Sequence, residues 1–228
     1  MSAAGIKVFS SPAARSALEE IAPQFERASG HRLLLEIANI AACKKKIAAG
    51  EAFDAAFVSP KLIDELIAQG RVAADTRINA GRTGLCVIVQ RGAPRPDIGS
   101  VESFRRALLN AKAVVHAATG ESGIGFKAVL EKLGIAAEMQ HKLRPSPKLA
   151  GDVEAGAGDF GIGGTGSALA NPQIDFVGPL PAGVQQYVNI AAAVSVDARE
   201  AQGARALLKY LQAPEVVAVM KARGFEPF

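Results

Sequence analysis

Short apolar runs alternate along this chain with longer stretches whose apolar residues recur every third or fourth position, the pattern of strands alternating with amphipathic helices. In the first such helix Ala14, Leu18, Ile21, Ala22 and Phe25 share one face and Gly30 ends it. Strands are predicted at 6–8, 33–37, 53–58, 84–90, 113–115, 160–162 and 189–196. Between them fall helices at 41–49, from Pro60 with Leu62, Ile63, Leu66 and Ile67 inward, and at 101–110, 123–133 and 147–156. Ser100 is placed to cap the helix at 101–110, and two closing helices follow at 199–211 and 214–223. Strict alternation of this kind predicts an α/β fold with mostly parallel sheets flanked by helices. The Gly- and Pro-rich stretch 178–183 breaks it, and the last elements are expected to pack back on the first. That yields two lobes, 1–80 with 190–228 and 84–188, joined by crossings near 80–84 and 188–190.

Four of the strand-to-helix turns share a design. Ser10, Ser11 and Pro12 follow the first strand, Asn39 the second, Thr119-Gly120-Glu121-Ser122-Gly123 the strand at 113–115, and Gly163-Gly164-Thr165-Gly166-Ser167 the strand at 160–162. A helix start exposes unpaired N–H groups and the positive end of its dipole, so each turn suits an anionic oxygen. Two such turns early and two late predict lobes that hold one anion in a cleft between them.

Composition narrows the function further. The 228 residues carry 26 Lys plus Arg against 22 Asp plus Glu, a net charge of +4 without a basic tail. That balance attracts small anions, but the few aromatics and absent Trp argue against nucleic acid. Cys43 and Cys86 have no disulfide or zinc spacing, and Cys86 within the run 85–89 reads as a buried small hydrophobe. No apolar run approaches the ~20 residues of a membrane span, so no membrane insertion is expected. Residues 1–5 show neither the basic nor the apolar region of a leader, which predicts a cytoplasmic protein. If a leader was removed from this sequence, the expectation becomes periplasmic.

The candidate chemistry is that of anion contact. Of the adjacent hydroxyls Ser10 and Ser11, capping explains one and leaves the other for a ligand; Asn39 is open to both roles. In the lysine run 44–46, Lys44 or Lys45 is placed to balance a carboxylate, the alternative being a solvated helix face. Arg82 and Thr83 precede the crossing strand, where a guanidinium fork suits a carboxylate and a surface ion pair is the alternative. Thr119, Ser122 and Gly123 make the strongest single anion loop. Residues 161–166 read Gly-Ile-Gly-Gly-Thr-Gly, but no second strand and acidic residue follow at dinucleotide spacing, so Gly164 and Thr165 are read as a polar loop at the cleft. His31 and His141 read as surface residues, His116 as the histidine near the Thr119 loop, and Tyr187 as a residue at the second crossing, closing over a ligand or filling the hinge. No metal or organic cofactor is called for.

The run Ile6-Lys7-Val8-Phe9-Ser10-Ser11, then Lys45-Lys46-Ile47-Ala48-Ala49-Gly50-Glu51 with Asp54, the helix Val129-Leu130-Glu131-Lys132-Leu133-Gly134 and the ending from Pro214-Glu215 to Gly224-Phe225 resemble the molybdate-binding group of type II periplasmic binding proteins. The resemblance spans nearly the whole chain and implies two α/β lobes closing on an anion. It places the family's serine ligands at Ala13 and near Asn39 or Ile40, its later loops at Ser122-Gly123 and Ile162-Gly163, and its Tyr segment at Val188-Asn189 beside Tyr187. Ala13 lacks a hydroxyl, so the oxyanion shell is incomplete, and the chain is closer to a branch without secretion signals to which an aconitate-isomerizing enzyme is similar. A di- or tricarboxylate ligand is implied, with an ABC permease as partner if the protein is exported. The alternative is a cofactor-independent isomerase in which Lys44, Lys45, Glu121 or Tyr187 moves a proton.

Overall fold

In the computed structural model, which describes residues 5–169 and 171–226, the chain divides into two units, the first running to Thr83 and resuming at Asn189, the second spanning Gly84–Val188. In the first unit β1 (Gly5–Ser10) is the inner strand, with β2 (Arg32–Ile37) and β3 (Ala55–Val58) parallel on either side; Val8 lies opposite both Leu35 and Ala55. Val8 and Phe9 are both buried, as a strand covered on both faces requires. The connections are right for parallel pairing: α1 (Arg15–Ser29), α2 (Ile40–Ala48) and α3 (Pro60–Ala68) each follow a strand.

The antiparallel strand β9 (Tyr187–Val194) completes this sheet by pairing with all of β3, from Ala55 opposite Val194 to Val58 opposite Ala191. On one face Phe9, Ile63, Leu66, Val72 and Ala193 form a buried cluster. On α1, Leu18, Ile21 and Phe25 are buried, and the helix packs against α9 (Ala201–Tyr210) and α10 (Pro214–Ala222), with Phe25 against the Tyr210 ring at 5.4 Å. The closing helices thus return to the first unit. Beyond them β10 (Phe225–Glu226) pairs with Thr83 and Arg82 of the long strand β4 (Ile78–Gln90). β4 begins six residues ahead of the predicted start at Gly84, and within that extension residues 82–83 gain a partner from the far end of the chain.

In the second unit residues 85–88 of β4 run antiparallel to β7 (Phe160–Gly164), which is parallel to β5 (Val114–Ala117), which is parallel in turn to β6 (Leu143–Ser146). The other side of β4 carries β8 (Ile174–Pro179), antiparallel with a register shift at Val87/Ile88. Helices α4 (Val101–Asn110), α5 (Gly120–Lys132), α6 (Ala136–Met139), α7 (Leu149–Glu154) and α8 (Thr165–Leu169) flank it. Ser100 and Ser103 form a reciprocal capping box on α4, as Ser100 predicts. Alternate residues of β4 feed two cores: Leu85, Val87 and Val89 meet Phe104, Phe126 and Ile162, whereas Cys86 and Ile88 meet Val115, Val153 and Ile174. Burying a Phe such as Phe126 contributes on the order of 2–3 kcal/mol.

Cys86 is the buried hydrophobe its context predicts, its thiol pushed up to about 12 by burial, and both cysteines are free. The match to a dinucleotide motif at 161–166 has a packing origin. A Cβ at Gly161 would lie 2.5 Å from Val153, and one at Gly163 would lie 2.2 Å from Leu149, so α7 rests directly on the backbone of β7.

Candidate functional site

Parallel strands put their carboxyl ends on one edge, so the order β2–β1–β3 lines up Asn39, Ser10 with Ser11, and Ser59 at intervals of about 4.8 Å. Two members of this row are occupied as helix caps. Asn39 Oδ1 accepts the Ala42 N–H at 2.9 Å, and Ser59 Oγ accepts that of Leu62 at 3.4 Å. Ser59 was legible as a Ser-Pro cap before an apolar helix but is not among the predicted site residues. Ser10 is fully buried and its hydroxyl donates to the Ser11 carbonyl at 3.0 Å.

Ser11 differs from its neighbours. Its N–H donates to the Phe57 carbonyl at 2.8 Å, which fixes the backbone, but its hydroxyl caps no helix N–H. The side chain is 3 % exposed, and among the described residues Ser11 Oγ is the buried side-chain oxygen or nitrogen without a hydrogen-bond partner. The expectation that one of the two serines is a cap is therefore corrected: Ser10 turns to a carbonyl, and the helix that opens with Pro12 needs fewer donors satisfied because Pro has no N–H.

In the second unit the neighbouring strands β5 and β7 end beside each other. After β5, Thr119 is extended and starts α5 without a side-chain cap, and Gly120 follows with φ 81°, a conformation open to glycine at little cost. The helix opens three residues before the predicted 123, so Glu121, Ser122 and Gly123 form its first turn instead of a loop. The N–H groups of Glu121 and Ser122 are among those a helix leaves unpaired, at the positive end of a 13-residue dipole. Gly123 packs so closely under the turn that a Cβ there would lie 2.5 Å from the Ala117 carbonyl oxygen. The same oxygen lies 2.9 Å from His116 Nδ1, and His116, 4 % exposed, sits against the Phe126 ring at 5.6 Å. Burial lowers the His116 pKa and leaves a neutral ring that donates from Nδ1. Glu121, half-buried, has its pKa raised by burial alone.

The remaining candidates lie as follows. Gly164 ends β7, and the Thr165 hydroxyl donates to the Gly84 carbonyl at 2.8 Å, tying β7 to β4. Arg82, expected to meet a ligand, pairs with Glu226 at 3.0 Å, a partner supplied by β10, and Thr83 is buried opposite Phe225. Lys44 pairs with Glu65 at 2.6 Å, while Lys45 is exposed. Lys46 and Lys7 share Glu36 and Glu51 above the Phe9 ring. Tyr187 opens β9 and is 41 % exposed. Of the other histidines, His141 is exposed, and His31 is half-buried with Glu200 at 3.9 Å. Among the described residues no group of His, Cys, Asp or Glu is arranged to hold a metal, and no helix is long and apolar enough to cross a membrane.

Two α/β units whose chain crosses between them at β4 and β9, each with polar turns at its parallel strand ends, have the fold of type II periplasmic binding proteins. Residues 6–226 match the family model of bacterial extracellular solute-binding proteins, and the chain belongs to that family. The chain is 27 % identical over 230 residues to an aconitate isomerase from a Pseudomonas species, covering 97 % of this chain and 87 % of that one. It is 25 % identical over 232 residues to the molybdate-binding protein ModA of Escherichia coli K12, covering 96 % and 88 %. The structure of the periplasmic molybdate-binding protein of Azotobacter vinelandii superposes with a TM-score of 0.80 at 18 % identity, covering 96 % of this chain and 98 % of that chain.

Proposed function

We propose that the protein binds a small organic anion carrying two or three carboxylates, as a solute-binding protein. The observation that carries this reading is Ser11: a buried hydroxyl left unpaired costs about 1–3 kcal/mol, and a row of strand-end donors is where a ligand oxygen would relieve that cost. On the second unit Thr119 and the first-turn N–H groups of α5 at Glu121 and Ser122 offer a further set of donors to anionic oxygens. A carboxylate is favoured over a tetrahedral oxyanion because Ala13 stands where the molybdate-binding group has a serine. In an exported form the partner is an ABC permease.

Thermal unfolding with citrate, cis-aconitate, trans-aconitate, molybdate and sulfate tests this reading. A ligand at 100 times its Kd adds about 2.7 kcal/mol to folding stability. Stabilisation by a tricarboxylate is expected, and stabilisation by molybdate alone would refute the carboxylate reading.

One observation favours a second reading, an aconitate-isomerase-like 1,3 proton shift. Glu121 is a half-buried carboxyl in the turn that carries the α5 donors, and burial raises its pKa, the direction that makes a carboxylate a stronger base. It would take a proton from the methylene carbon beside a carboxylate. The electron pair would move into an enolate-like system held by the helix N–H groups, and the proton would return at the other end of the allylic unit as the double bond moves. Proton NMR of the incubated aconitate samples separates the readings: interconversion supports the isomerase, and unchanged spectra support binding alone.

A further inference from the structure

The second unit has a groove at the opposite edge of its sheet. β5 and β7 run parallel, and the turns discussed above follow their ends; a groove of about 430 Å³ lies at their starts, next to Phe160 and Lys112. At ~3.3 Å per residue, the length of β5 sets the two edges about 13 Å apart. The volume is within the range of small-molecule sites.

The groove's net charge is positive. It is lined by Arg95, Arg106 and Lys112 and by two carboxylates, Asp97 and Asp159. Both acids are exposed, and each accepts backbone N–H groups. Asp159 accepts the N–H groups of Lys112, at 2.5 Å, and Ala113, at 3.1 Å, which holds the entry to β5. Asp97 accepts the Gly99 N–H at 2.9 Å. Arg95 is held only at 3.7 Å by Asp175, and among the described residues neither Arg106 nor Lys112 has a carboxylate within ion-pair distance, although the Arg106 charge helps to lower the Asp97 pKa. The lining therefore carries one more positive than negative charge, with exposed guanidinium and ammonium groups facing one space.

The rest of the wall combines the neutral polar side chains Ser103 and Asn110 with a stiff apolar part. Pro94 and Pro96 bracket Arg95 with fixed φ and no N–H to satisfy, and Ala107, Ala111 and Phe160 supply small apolar surface. A wall already held in place loses little freedom when a ligand arrives. A guanidinium pairs bidentately with a carboxylate and stacks on flat rings. We propose that this groove binds a monoanionic small molecule with a flat apolar body, an arenecarboxylate, with Arg106 as its principal charge partner. The excess of one positive charge matches one carboxylate, and Asp97 and Asp159 disfavour a dianion.

The test uses benzoate as probe, with acetate supplying the head without the body and benzyl alcohol the body without the charge, followed by proton–nitrogen correlation NMR of the full chain. Benzoate is expected to shift the amides of 95, 97–99 and 106–112 saturably, and the two partial probes to shift them weakly or not at all. Arg106→Ala, at an exposed helix position, should weaken benzoate about tenfold, with Lys112→Ala as a second variant and an unchanged melting temperature confirming the fold in each. Binding of the tricarboxylate that stabilises wild type should be the same in both variants. Benzoate shifts confined to residues 119–123 or absent altogether, benzyl alcohol acting as strongly as benzoate, or no loss in either variant would overturn the proposal.

Discussion

Replacing Ser11 by alanine should make the ligand-free protein more stable and its ligand binding weaker, a pair of signs that few substitutions share. Ser11 Oγ is buried and without a partner, so the folded state has removed a hydroxyl from water without replacing its hydrogen bond. Protein substitutions put that penalty at about 1–3 kcal/mol. Deleting one oxygen also leaves a small void and loses its dispersion contacts, which offsets part of the gain, so a net stabilisation of about 1 kcal/mol is expected. For a chain of this length that corresponds to a rise of about 2–4 °C in melting temperature. In the proposed complex the same hydroxyl would donate to a carboxylate oxygen, a charge-assisted bond, and its loss should weaken binding by about 1.5–3 kcal/mol. Ser10→Ala is the internal control: its hydroxyl donates to the Ser11 carbonyl, so that variant should be destabilised without ligand. Thermal unfolding of both variants with and without the best tricarboxylate measures all four quantities. A less stable Ser11→Ala protein with unchanged ligand stabilisation would refute the reasoning, because the hydroxyl would then be satisfied within the fold.

Gly123→Ala should destabilise the second unit by about 1–3 kcal/mol, although alanine favours a helix, because its Cβ would meet the Ala117 carbonyl oxygen at 2.5 Å; urea unfolding checks the sign. Gln185→Glu should cost more than Gln185→Ala in the same assay. The amide accepts the Leu85 N–H at 2.9 Å and donates to the Leu85 carbonyl at 3.0 Å, and a carboxylate would face that carbonyl with a second acceptor. For His116, burial lowers the folded pKa, so the unfolded chain binds more protons in the window just below the ordinary histidine pKa. Its contribution is complete above that pKa and is lost as pH falls toward the folded value. His116→Gln should therefore flatten the decline in the urea midpoint as pH falls below about 6.5.

Much of the fold was legible because its inner elements are apolar and periodic: β1 and α4 fall within two residues of their predicted bounds, α3 opens at the predicted Pro60, and Gly30 ends α1 as predicted. The misses have local causes. Gly120, Glu121 and Ser122 look like loop residues, yet the first turn of a helix makes few demands on propensity because its N–H groups are unpaired. β6 reads Leu-Arg-Pro-Ser, with none of the apolar density of a strand, and pairs through β5. β10 is two residues long and exists only because β4 is there to receive it. The same distance hid the fate of Arg82, whose partner lies 144 residues away. Site chemistry was legible as a class of turn but not as a set of free donors. Ser10, Asn39 and Thr165 carry the right groups, and which of them the fold already uses depends on neighbours that only the packing brings.

The pairing of β3 with β9 has a consequence for synthesis. β3 leaves the ribosome early, and its four residues are all buried in the finished sheet, yet the strand that covers one edge arrives only after the whole second unit. That unit is an uninterrupted stretch of about 100 residues, which takes roughly 5–20 s to make at typical rates. It can fold as soon as it emerges, while the first unit waits with an apolar edge that would template pairing with other chains. The chain is thus expected to fold from the inside out, and its most aggregation-prone moment to be translational. Slowing synthesis after Val188, or trapping nascent chains that end there, would lengthen the time β3 stays uncovered.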